Sequence, residues 1–160
     1  MKKIFSYSMA SFLILAMVSL NSCKKDEEVK ELKGYITGIT FTDWLDEDNN
    51  GDEWDNQLQG YDPDVYFVIE DASGNVLYNI GSENRKENVD SSFGWTLNNL
   101  NINNDTKIYV RLYDYDDLSE DDDMGACGGF NLKSYKGHSS FLINCDNMEY
   151  TLNVNWTRDY

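Results

Sequence analysis

The chain has 160 residues, with 29 Asp and Glu against 13 Lys and Arg, a formal net charge of −16 and one histidine. Phosphate contacts need clustered Lys and Arg, so this composition excludes nucleic acid as a partner, and it repels an anionic membrane unless a cation intervenes. Aromatic residues make up 14% of the chain, enough for a packed core and unlike a disordered acidic tail.

Met1-Lys2-Lys3 is basic and residues 4–20 carry no charge. The densest apolar part, Phe12 to Leu20, falls short of the roughly 20 residues that span a bilayer. A basic start, a short apolar stretch and small residues at its end read as a secretory signal. Leu20-Asn21-Ser22-Cys23 resembles the lipobox of bacterial lipoproteins. That resemblance implies a signal peptide over 1–22, cut just before a Cys23 that carries lipid. Residues 23–32 are then a lipidated, charged tether. Lys24-Lys25-Asp26-Glu27-Glu28 resembles the signal that sends lipoproteins to the surface of some Gram-negative bacteria. The implied location is the bacterial outer membrane, cell-surface exposed and held by the lipid. Lys2 and Lys3 leave with the signal, so the net charge of −16 becomes −18. Residues 33–160 suit a single domain.

No helical stripe follows residue 30. Short alternating runs recur instead between Asn, Asp, Gly and Ser clusters, and predict strands over 33–42, 64–70, 75–80, 92–97, 106–114, 127–133, 139–145 and 148–156. Ile36, Ile39 and Phe41 line one face if the chain kinks at Gly38. Ile108, Val110 and Leu112 line another, as do Leu152, Val154 and Trp156. Asp71 to Asn75 reads as a hairpin turn, with Gly74 free to take positive φ. The expected fold is all-β, an eight-stranded antiparallel β-sandwich. Trp44, Trp95 and Trp156 are assigned to its core. With Cys23 lipidated, Cys127 and Cys145 remain. An even pair in an oxidising compartment predicts a disulfide, worth about 3 kcal/mol on a chain-entropy argument.

Two connections are far more acidic than the rest: Asp43 to Asp64, and Asp114 to Asp123. Crowded carboxylates repel one another, and a hard divalent cation relieves that strain. Ca²⁺ takes 6–8 oxygen ligands, which loops with several Asp residues supply. The run from Ile108 through Asp114, Asp116 and Asp122 to Gly125 resembles the third calcium loop of C2 domains: an apolar strand, Asp-x-Asp, five residues, Asp, then two residues and Gly. Asp62-Pro63-Asp64-Val65-Tyr66 resembles the motif that closes their first calcium loop, with Asp64 where the family usually has an aromatic. The resemblance implies a C2-like sandwich with Ca²⁺ held by Asp55, Asp62, Asp114, Asp116 and Asp122. The first loop is long, so Asp43, Asp46, Asp48 or Asp52 are alternatives to Asp55. Asp46 to Asp52, with Gly51, also resembles half of an EF-hand loop, but its twelfth position is Gln57 and no helical pattern flanks it. The family's basic cluster is replaced by Glu83-Asn84-Arg85-Lys86-Glu87-Asn88. Asp117, Asp121 and Asp123 are read as solvated. Trp54, Leu58, Leu118 and Met124 lie in or beside the loops, where exposed apolar groups would meet a partner.

Nothing resembles a P-loop, a zinc motif or a nucleophile elbow, and His138 sits in a turn with no evident partner. The chain is therefore read as a non-enzymatic, membrane-anchored module binding an anionic lipid, a glycan or a protein through calcium. The alternative is a β-sandwich adhesion or carbohydrate-binding module with calcium structural or absent.

Overall fold

Alternation along the chain sets the two faces of most strands, and a break in it near Gly38 re-phases the first. The computed structural model describes residues 31–45, 47, 51, 54, 62–117 and 120–158. These form β1 (Leu32–Trp44), β2 (Val65–Asp71), β3 (Val76–Asn79), β4 (Phe93–Asn101), β5 (Ile108–Asp114), β6 (Asp122–Phe130), β7 (Ser140–Cys145) and β8 (Met148–Arg158). One sheet has the order β4-β1-β8-β7 and the other β3-β2-β5-β6. Every paired strand is antiparallel. The fold is an eight-stranded antiparallel β-sandwich. The signal peptide, Cys23 and residues 24–30 of the tether lie outside the described residues.

Ile36 and Ile39 are three residues apart, which an unbroken strand would place on opposite faces. A register shift between Ile36 and Gly38, against both β4 and β8, re-phases the strand. Ile36, Ile39 and Phe41 consequently all reach the core. Facing them are Val65, Phe67 and Ile69 of β2, and Ile108, Val110 and Leu112 of β5. Phe41 contacts the rings of Phe67, Phe93, Trp95 and Tyr150. Trp44, Trp95 and Trp156 are half-buried against this core rather than inside it.

The sheets are joined at one edge by a disulfide between Cys127 of β6 and Cys145 of β7, with Cα atoms 5.7 Å apart. The buried Tyr150 hydroxyl crosses between the sheets as well, donating to the Cys127 carbonyl at 3.0 Å.

β6 differs from the expected strand over 127–133. It begins at Asp122, inside the acidic run, because pairing with β5 carries the ladder there, with Asp114 opposite Asp122 and Tyr113 opposite Asp123. Arg111 makes this tolerable by pairing with both Asp123 and Glu70. Residues Leu132–Tyr135 form a 3₁₀ turn instead of strand, and the Asn131 side chain accepts the Ser134 N–H at its start.

Candidate functional site at the three-loop end

β2 starts where β5 stops: Val65 pairs with Asp114 in register. Described parts of three connections therefore come together at one end of the sandwich. They run between β1 and β2, between β3 and β4, and between β5 and β6. The β3–β4 connection is drawn in by a bridge in which Val65 and Lys86 exchange N–H···O bonds of 2.8 Å. A further bond runs from the Val89 N–H to the Pro63 carbonyl.

Asp114 continues the inward series Ile108, Val110, Leu112, so its side chain turns into the end of the sandwich and is 0% exposed. Burying a carboxylate is costly unless donors face it. Its Oδ1 accepts the Asp64 N–H at 2.8 Å.

Asp64 uses all its polar atoms across the three connections. Besides donating to Asp114, its carbonyl accepts the Tyr115 N–H at 2.9 Å. Its Oδ1 accepts the Asn88 N–H at 2.8 Å, and its Oδ2 accepts from Arg85 Nε at 3.3 Å. The Arg85 guanidinium lies 4.4 Å from the centre of the Tyr115 ring and also pairs with Glu87. Asp64 and Arg85 are only 22% and 25% exposed at their side chains.

Nearby, Tyr66 donates its hydroxyl to Asp121 Oδ2 at 2.6 Å and stacks on Tyr113 at 5.2 Å. Burial, then the hydrogen bond to Asp121, raises the Tyr66 pKa well above that of an ordinary phenol. Asp121 Oδ1 also accepts the Asp116 N–H at 3.4 Å. Asp121 is half-buried and engaged, not solvated as expected, whereas Asp117 and Asp123 are exposed as expected, each with a partner, Tyr115 for Asp117 and Arg111 for Asp123. Met124 differs from the exposed loop residue that the sequence predicts. It lies in the core at 1% exposure, because the inward phase of β6 falls on it. Trp54 is half-buried against the core, its indole N–H on the Leu45 carbonyl at 2.8 Å.

Of the expected metal ligands, Asp62 is exposed, Asp114 buried, Asp116 half-buried and Asp122 exposed. Asp55 lies outside the described residues, as do Asp46, Asp48, Asp52, Leu58 and Leu118. Among the described residues, no three Asp, Glu, His or Cys side chains are grouped to hold a metal ion. The donors at this end are hard oxygens of the kind Ca²⁺ takes.

No protein-family model matches this chain, and no curated protein does. Solved C2 domains resemble it in shape, weakly. The first C2 domain of a plant extended synaptotagmin 1 gives a TM-score of 0.40 at 11% identity, over 79% of this chain and 96% of that one. A structure of the paired C2 domains of extended synaptotagmin 2 gives 0.37 at 13% identity, over 79% of this chain. A longer one, in which an SMP domain precedes the same two C2 domains, gives 0.36 at 13% identity, over 77% of this chain. The chain spans 40% and 26% of the length of those two. Likeness at this level does not assign the chain to a family.

Sequence reasoning missed Asp64, Arg85 and the Tyr66–Asp121 pair. The available signals were the aspartate at an aromatic position of the first-loop motif and the adjacent bases of Arg85-Lys86.

Proposed function

We propose that this chain is a lipid-anchored, C2-like module that binds Ca²⁺ at its three-loop end and uses it to engage an anionic lipid, a glycan or a protein. It is a binding protein and not an enzyme. One observation carries the reading: the Val65–Asp114–Asp122 register draws both acidic connections to the same end, with Asp114 buried there. Asp62, Asp114, Asp116 and Asp122 would hold the ion, with Asp55 or another acid of the first loop adding oxygens. The ion supplies a coordination site for an anionic group and offsets carboxylate repulsion.

Isothermal titration of the chelator-stripped protein tests this. Ca²⁺ should bind with a defined stoichiometry and Mg²⁺ far more weakly. Asp114→Asn should lower Ca²⁺ affinity at least tenfold, while Asp146→Asn, between β7 and β8, should change it little. Equal losses from both substitutions would mean diffuse charge attraction and no site.

The anchor rests on the lipobox-like Leu20-Asn21-Ser22-Cys23. Cys23→Ala should leave an uncut precursor that takes up no labelled palmitate when the gene is expressed in a lipoprotein-processing bacterium. Normal labelling of that variant would end the lipoprotein reading.

A second reading is favoured by the Arg85–Asp64 pair, in which a side chain of this protein supplies positive charge to the acidic end. In it, the chain is an adhesion or carbohydrate-binding sandwich with calcium structural or absent. Partner binding that survives a chelator would select this reading; loss of binding with the fold intact would select the first.

A further inference from the structure

The three-loop end is acidic. Asp62, Asp64, Asp114, Asp116, Asp117 and Asp121 all lie in or beside two of its connections. Like charges gathered this closely oppose one another, and a partly buried pair is screened by salt much less than an exposed one. A positive group is nonetheless built into this end. Arg85 comes from the third connection, reaches Asp64 at the start of β2, and lies over the Tyr115 ring just past the end of β5. One side chain therefore touches a residue from each of the other two connections.

Its position is fixed from both sides. Arg85 follows the 3₁₀ turn Ser82–Asn84, and its own N–H donates to the Ser82 carbonyl at 3.2 Å. Its neighbour Lys86 is bonded to Val65 through the backbone. The backbone of the β3–β4 connection thus presents the guanidinium to Asp64. A lysine would carry the charge but not the flat, donor-edged face that pairs with a carboxylate while covering a ring.

We propose that Arg85 is the resident cation of the three-loop end: paired with Asp64 and stacked on Tyr115, it closes the connections on one another in the absence of any metal. Arg85 is a positioning residue. It acts through Asp64, whose carbonyl and carboxylate in turn hold the Tyr115 and Asn88 amides. A divalent ion that binds here adds to an end already closed. This goes beyond the calcium reading and stands on the Asp64–Arg85–Tyr115 geometry alone.

Amide hydrogen exchange of the full folded domain, in chelator throughout, provides the test. The Asn88 and Tyr115 amides should be protected in the wild type. Arg85→Gln should speed their exchange about tenfold or more, while Val110 and Leu152 in the core strands keep their rates. Arg85→Lys should restore part of the protection. Asp64→Asn combined with Arg85→Gln should speed exchange by less than the product of the single effects, because both remove the same pair. Wild-type rates at Asn88 and Tyr115 in Arg85→Gln would overturn the proposal. So would equal acceleration at Val110 and Leu152, which would make Arg85 a general stabiliser of the fold. Since every arm is run without metal, failure here is separable from failure to bind calcium.

Discussion

Asp114 and Tyr66 show how one residue can be fixed by strand phase and then acquire its chemistry from a neighbour. Asp114 is buried because it occupies the fourth inward position of β5. Tyr66 lies on the opposite face of β2, stacked on Tyr113 with its hydroxyl on Asp121. Burial and that hydrogen bond raise its pKa, so the native state keeps the phenolic proton where the unfolded chain would release it. The resulting stability is fully present below the unfolded tyrosine pKa of about 10 and is lost as pH rises toward the folded value. Tyr150 and Tyr113 are shifted in the same direction, chiefly by burial. Tyr66→Phe should therefore cost about 1.5–3 kcal/mol at pH 7, for a bond to a charged acceptor. It should also lose less stability than the wild type between pH 7 and pH 11 in urea titrations. An identical alkaline decline in the two proteins would contradict the Tyr66 account. Asp114 was legible from the sequence because it ends an alternating run. Arg85 and Asp64 were not, because their pairing joins residues 21 apart across two connections, and no periodicity records that.

The elements followed from alternation wherever alternation was clean. β5 and β8 carry regular inward series, and their predicted spans come within two residues of the observed ones at each end. The kink anticipated at Gly38 appears as the register shift that brings Ile36 and Ile39 to one face. β6 was the element misplaced, and the cause is physical. Asp122 and Asp123 have no strand propensity of their own, and their pairing is imposed by β5 and neutralised in part by Arg111. A hairpin partner can override local preference in this way, and a single sequence does not reveal which partner will do so. The Cys127–Cys145 bridge was expected from an even cysteine count. The placement it achieves, between the edge strands β6 and β7 of two different sheets, needed the topology.

At the scale of the whole molecule, the charge and the architecture point the same way. A chain with net charge −16 brings described ends of two acidic connections, 62–64 and 115–117, together at one end of a sandwich. It offsets part of that charge with Arg85 and leaves Asp62 exposed and Asp116 half-buried. On the calcium reading, the metal finds an end already assembled and relieves the repulsion that remains. Binding to the native state alone adds RT ln(1 + [L]/Kd), about 2.7 kcal/mol at a hundredfold excess over Kd. For a domain of this size that is about 5–10 °C in melting temperature. Thermal unfolding of the chelator-stripped protein with Ca²⁺, Mg²⁺ or sodium chloride of matched ionic strength tests the central claim most directly. Ca²⁺ should raise the melting temperature by that amount, Mg²⁺ by much less, and sodium chloride should recover only the part due to screening. An equal rise with all three would contradict a calcium site and reduce the acidic connections to solvated charge.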